Sequence, residues 1–192
     1  MKRIAIFGSG KGTNAENIIQ HFSDSDVARV TLVLSNRKDA GILKRAKEHS
    51  IPGMFFGIEE LNSGTVLSKL KASGIDLIVL AGFLKKVPAE VLAEFPNRVV
   101  NIHPALLPDY GGEGMYGMNV HRAVVENEEE ETGITIHFVN EAYDEGEIIF
   151  QDSVEVDLED SPEDVAYKVQ ELEHRHYPSV IEWVVSELDT ED

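Results

Sequence analysis

The chain has 192 residues, 42% hydrophobic and 27% charged, with a formal net charge of −18 and no cysteine. That fits one globular domain able to bury roughly 70% of its unfolded surface, and the lack of cysteine excludes disulfides, thiol nucleophiles and thiolate metal sites. The charge argues against a nucleic-acid partner, which needs a basic face, and no apolar run reaches the roughly 18 residues of a membrane span.

Met1 to Phe7 resembles the start of a signal peptide, but Gly8-Ser9-Gly10-Lys11 breaks the apolar run at once. The expectation is therefore a cytoplasmic protein without a membrane partner, opening on a strand at Lys2 to Phe7. A glycine-rich loop, Gly8 to Asn14, follows, and helical periodicity begins at Ala15, Ile18, Ile19 and Phe22. Such a turn between a strand and a helix N-terminus can cradle a phosphate. The P-loop pattern fails because Gly12 follows Lys11, where Ser or Thr is required. The dinucleotide fingerprint fails because Gly12 comes too soon after Gly10 and the next strand ends in Ser35-Asn36 without an acid. Two readings survive: a monophosphate cup with Gly12, Thr13 and Asn14 as donors, or a tight turn that needs flexible glycines.

Further along, Val30 to Leu34 reads as a strand, Asp39 to His49 as a helix, Gly53 to Phe56 as a short strand and Ile58 to Ala72 as one helix. Ile75 to Leu80 is a buried parallel strand, Pro88 to Phe95 a helix, and Arg98 to Ile102 another strand that stops at Pro104. This alternation specifies an α/β fold, a single doubly wound and mainly parallel sheet. Gly111 to Gly117 is a glycine-dense loop, Met118 to Val125 a helix, and Gly133 to Val139 and Gly146 to Val154 two paired strands. Ser161-Pro162-Glu163-Asp164 caps a last helix that runs to about Val185. The acidic runs at 126–131, 155–164 and 187–192 read as solvated surface.

Asn101 and His103 lie two apart, so an extended strand points them to the same side, at the carboxyl edge where open α/β sheets bind ligands. The pair can stabilise an oxyanion and move a proton, or it can cap a strand end. With Asp144 beside it, His103 is expected to have a raised pKa. No Ser, Cys or Thr sits at a nucleophile turn, so the attacking group should come from the substrate, which suits transfer of a one-carbon acyl group to an amine. His21 and His49 read as exposed helix positions and His121 as helix packing or loop support. His174 and His176, two apart on a helix, face different sides and predict no metal.

The motifs GSGKGTN at 8–14, SNRKDA at 35–40, LAGFLKKV at 80–87, NIHPALLP at 101–108, TGITIHFV at 132–139, YDEGEII at 143–149 and VQELEHRHYP at 169–178 span essentially the whole chain. Together they resemble the folate-dependent glycinamide ribonucleotide formyltransferases. The resemblance implies transfer of formyl from 10-formyltetrahydrofolate, as cosubstrate, to the amine of phosphoribosylglycinamide in purine synthesis, without a metal. It implies Asn101, His103 and Asp144 as the catalytic trio, with His137 in support. Gly12, Thr13 and Asn14 would hold the ribonucleotide phosphate, and Gln170 and Glu173 its other polar groups. Folate would be held by Leu84, Lys85, Lys86, Val87, Asn101, Asn140, Glu141, Ala142, Tyr143 and Asp144.

On this basis residues up to about 100 form a phosphate-binding half and residues 101–192 a catalytic and folate-binding half. The partners are small molecules, and the enzyme acts as a monomer or homodimer. Two positions depart from the family pattern: Asn62-Ser63-Gly64-Thr65 lacks a basic residue that can reach the folate tail, and Glu113 stands where longer-loop members tend to carry Lys. The alternative within the superfamily is a formyltetrahydrofolate deformylase. Deformylases usually carry an extra N-terminal domain, whereas here the catalytic domain is expected to begin at Met1.

Overall fold

A computed structural model describes residues 1–188. The strands and helices alternate as β1 (Lys2–Phe7), α1 (Thr13–His21), β2 (Ala28–Ser35), α2 (Gly41–Glu48), β3 (Gly53–Phe55), α3 (Ile58–Asn62), α4 (Thr65–Ala72), β4 (Leu77–Leu80), α5 (Ala89–Glu94) and β5 (Val99–His103). Then come α6 (Met118–Glu126), β6 (Glu131–Phe138), β7 (Ile148–Glu155) and α7 (Pro162–Glu187). All seven strands join one sheet in the order β3-β2-β1-β4-β5-β6-β7. The pairings from β3 across to β5 are parallel, and β6 and β7 add antiparallel. The chain crosses from β1 to β2 on one side and later returns through β4 on the other. Their carboxyl ends therefore open a crevice at the switch point.

Alternate residues of β1 feed two cores, as the pleat requires. Ile4 and Ile6 pack with Ile18 of α1, Ile42 of α2 and Ile181 of α7 on one face. Ala5 and Phe7 pack with Leu70 of α4 and Val91 of α5 on the other.

The helix expected over Ile58 to Ala72 is two helices. Gly64 takes a left-handed conformation (φ 80) that a residue with a Cβ rarely adopts, and it ends one helical segment and starts the next. Leu61 and Val66 are five apart where a continuous helix would bring back the fourth, so the break returns Val66 and then Leu70 to the core.

α7 carries the strongest local signals. Ser161 accepts from the Asp164 N–H at 3.2 Å while Asp164 accepts from the Ser161 N–H at 3.0 Å, with Pro162 opening the helix. Pro178 sits inside α7 and has no N–H for the carbonyl four residues back, that of His174. Asn17 of α1 supplies the missing donor, Nδ2 to His174 O at 2.6 Å. One proline thus docks α1 on α7 and sets the residues at the head of α1 beside Gln170 and Glu173. The buried Tyr177 ties α7 to the sheet, its hydroxyl 2.8 Å from Leu80 O and 3.3 Å from Val100 O.

The acidic runs are mostly exposed, but several members have structural partners. Asp160 pairs with Lys168 at 2.5 Å, and Glu129 accepts from the Tyr110 hydroxyl at 2.6 Å. Residues 189–192 of the acidic tail lie outside the described residues. No helix among the described residues is long and apolar enough to cross a membrane.

Candidate active site

One cleft of about 820 Å³ runs along the carboxyl edge of β1, β4 and β5. At one end the chain leaves β1 through Gly8 to Gly12 and enters α1. Gly12 caps the helix at φ 79, and a Cβ there would lie 2.6 Å from Ile42 Cα, so only glycine lets the loop pass α2. The first N–H groups of α1 have no acceptor within the helix and present partial positive charge to the cleft. Across from them, Gln170 Nε2 donates to Thr13 Oγ1 at 3.2 Å and Asn14 Nδ2 donates to Glu173 Oε2 at 2.8 Å. Burial pushes the Glu173 carboxyl up to about 7, against the hydrogen bond from Asn14.

The loop after β4 forms a second wall, with Leu84, Lys85, Lys86 and Val87 in the lining. Ser9 fastens it to the glycine loop. The Ser9 N–H donates to Gly82 O at 2.9 Å, and Ser9 Oγ accepts from the Leu84 N–H at 3.0 Å and donates to Asn36 at 2.6 Å.

The middle of the cleft is built on β5 and β6. Val100 and Ile102 enter the core beneath, and Asn101 and His103 project together from the opposite side of the pleat. Antiparallel pairing sets Asn101 against His137 and His103 against Thr135. Asn101 Nδ2 lies 3.2 Å from His137 Nε2, and His137 Nδ1 lies 2.9 Å from Phe138 O. A carbonyl only accepts, so Nδ1 of His137 carries a proton. Asp144 comes in on the loop between β6 and β7 with a left-handed backbone (φ 57), a conformation Asp tolerates. Its oxygens lie 3.6 Å from His103 Nδ1 and 3.6 Å from His137 Nε2, and one accepts from the Gly112 N–H at 3.1 Å.

Charges at this centre are set by burial. Desolvation would raise the Asp144 carboxyl, but His137, His103 and the Gly112 N–H together hold it below the ordinary value, so it is ionised. The expected rise at His103 does not occur. The residue is 3% exposed, and desolvation outweighs the attraction of Asp144 and the Tyr110 carbonyl, lowering its pKa. The His103 imidazole is therefore neutral at neutral pH. Its Nε2 donates to Tyr110 O at 2.8 Å, which leaves Nδ1 with a free lone pair beside Asp144. His121 of α6 is a wall residue of the cleft as well as helix packing. Desolvation, and then His103, take it down to about 4.

Every residue expected in the site lines this cleft except Glu141. Glu141 sits exposed at the outside of its turn, where Asn140 Oδ1 accepts from the Ala142 N–H at 2.9 Å. Sequence reasoning missed the supports. Thr135 Oγ1 donates to Ala105 O at 2.7 Å and accepts from the Leu107 N–H at 2.9 Å, while Gln151 donates to Leu107 O at 3.0 Å. These bonds pin the turn that follows His103. The only available signal was a Thr and a Gln on strands otherwise rich in apolar residues.

The doubly wound sheet thus brings an amide, an imidazole and a carboxylate together at its crevice. Comparison with known proteins gives the class. The family model described as formyl transferase matches residues 2–181. Phosphoribosylglycinamide formyltransferase of Haemophilus influenzae is 38% identical over 189 residues, 95% of this chain and 87% of that protein. The chloroplastic phosphoribosylglycinamide formyltransferase of Arabidopsis thaliana is 41% identical over 94% of this chain, which spans 64% of the plant protein. The solved glycinamide ribonucleotide transformylase 1 of Symbiobacterium toebii superposes with a TM-score of 0.89 at 34% identity, covering 97% of this chain and 88% of that one. The chain belongs to the formyl transferase family, on its phosphoribosylglycinamide formyltransferase branch.

Proposed function

We propose that this enzyme transfers the formyl group of 10-formyltetrahydrofolate to the amine of 5'-phosphoribosylglycinamide, and that Asn101, His103 and Asp144 carry the chemistry. The observation that carries this reading is the continuity of one cleft. It runs from the amide-rich head of α1, through the trio, to the wall at 84–87. The phosphate belongs at Gly12, Thr13 and Asn14, where helix N–H groups offset the field of an acidic chain. Gln170 and Glu173 face the rest of the ribonucleotide. Leu84, Lys85, Lys86 and Val87, with Asn140, Ala142 and Tyr143, wall the folate.

Attack of the amine on the formyl carbon puts negative charge on the formyl oxygen and positive charge on the nitrogen. Asn101 donates to the oxygen through the amide proton not given to His137. His103 Nδ1 takes the amine proton, and the resulting imidazolium is stabilised by the Asp144 carboxylate. The same proton then passes, directly or through water, to the folate nitrogen as its bond to the formyl carbon breaks. His137 orients Asn101.

The enzyme is proposed to act in the cytoplasm as a monomer or homodimer on small molecules, in keeping with its cysteine-free sequence. The test is an absorbance assay of 10-formyltetrahydrofolate with and without the ribonucleotide. Folate turnover only when the ribonucleotide is present is the expected result. Turnover without it would mean a deformylase and would remove the phosphate assignment.

A further inference from the structure

Tyr110 is the only aromatic among the described non-glycine residues at positive φ, with φ 55. A bulky side chain tolerates that conformation only where its surroundings fix it. Two bonds fix it here. The Tyr110 hydroxyl donates to Glu129 Oε1 at 2.6 Å and accepts from Asn127 Nδ2 at 2.9 Å. Both partners sit on the turn between α6 and β6, which is itself bonded to the end of α6. Asn127 N–H donates to Ala123 O at 3.0 Å and Glu129 N–H to Val124 O at 3.2 Å. At the other end of the same residue, the Tyr110 carbonyl accepts from His103 Nε2 at 2.8 Å.

We propose that Tyr110 is a positioning residue: its hydroxyl anchor on Asn127 and Glu129 holds its carbonyl against His103 and thereby selects the imidazole tautomer whose free lone pair lies on Nδ1. The inference rests on the reading of His103 as the base for the attacking amine. The groups facing His103 are Tyr110, Asp144, His137 of β6 and His121 of α6. Asp144, 3.6 Å from Nδ1, pulls the ring proton toward Nδ1. A neutral ring protonated there has its lone pair on Nε2, turned to the Tyr110 carbonyl and away from Asp144. The Tyr110 carbonyl opposes that pull by holding the proton on Nε2. Glu129, within an acidic run that reads as surface from sequence, is thus connected to the reacting nitrogen through one residue.

The test is the ¹⁵N spectrum of histidine-labelled protein at neutral pH, with the His103 signal assigned by its loss in His103→Asn. The wild-type chain should show His103 protonated at Nε2 alone. Tyr110→Phe and Glu129→Ala should move proton density to Nδ1 and lower kcat roughly tenfold, with KM for the ribonucleotide unchanged within about twofold. Glu129→Gln keeps an acceptor for the hydroxyl and should restore both readouts. Tyr110→Gly suits the left-handed backbone but has no anchor, and should lose the tautomer even where melting shows a well-folded protein. A wild-type tautomer in Tyr110→Phe and Tyr110→Gly would overturn the proposal, and so would a melting loss without a tautomer change. A shifted tautomer in a chain that transfers no formyl group would uphold the positioning and overturn only the proposed reaction.

Discussion

The two ends of the cleft are made from different materials. The glycine-loop end is mainly backbone: N–H groups at the head of α1 with the Asn14 amide beside them, reached by a loop that passes α2 because Gly12 has no side chain. The histidine end is side chain: three imidazoles, a carboxylate and an amide brought together from β5, β6, α6 and the loop that carries Asp144, with His103, His121 and His137 all buried. The contrast teaches how a chain with a net charge of −18 handles an anionic ligand and a proton transfer in one pocket. Holding an anion requires fixed donors, here backbone N–H groups and a side-chain amide, none of which changes its charge. Moving a proton requires groups with displaced protonation equilibria, and burial is what displaces them.

The sharpest way to break the comparison is to disable each end separately. His103→Ala or Asp144→Asn should lower kcat by roughly 10² to 10⁴-fold with little change in KM for either substrate, because both act mainly in the transition state. Asn14→Ala should do the opposite. It should raise KM for the ribonucleotide by roughly tenfold, the scale of one lost hydrogen bond to a charged group, and leave kcat nearly intact. A change confined to the folate KM would show that the glycine loop does not hold the phosphate.

The two ends also titrate in opposite senses. Glu173 has a folded pKa of about 7, raised above its ordinary value of 4.5. The folded state therefore holds the proton longer, and this group's contribution to stability is lost as pH rises from about 4.5 through 7. His121 has a folded pKa of about 4, below its ordinary 6.5, so the unfolded chain binds the extra proton and stability is lost as pH falls from 6.5 through about 4. Urea midpoints across pH should show Glu173→Gln gaining on wild type toward pH 8, by on the order of 1 to 3 kcal/mol. His121→Gln should gain toward pH 4. Parallel profiles for both variants would show that burial does not set these groups.

The smallest effect expected is at a shared support. Tyr177→Phe removes a hydroxyl that bonds to both Leu80 O and Val100 O. It should cost about 1 kcal/mol in urea unfolding and leave the kinetic contrast between the two ends unchanged.

What the sequence reveals follows the same division. Local features were readable: the glycine loop between strand and helix, the Asn101 and His103 alternation, the Ser161 cap, and the parallel sheet implied by apolar runs alternating with helices. The helix break at Gly64 was not, because a lone glycine inside a periodic stretch is compatible with a continuous helix. The protonation state of His103 is not legible in the sequence, because a neighbouring carboxylate can be inferred there, whereas desolvation depends on packing from strands far apart in the chain. For the same reason Glu129 read as one acid among many, and the bond from Asn17 to the carbonyl freed by Pro178 gave no signal. Each depends on a contact whose partner the sequence does not name.

The most direct test of the division of labour is calorimetric titration of His103→Ala with phosphoribosylglycinamide, beside Asn14→Ala and wild type. The account predicts wild-type affinity, within about threefold, for His103→Ala and clearly weakened binding for Asn14→Ala. If His103→Ala loses the ribonucleotide as well, the histidine end holds the ligand and the separation of binding from proton transfer is wrong.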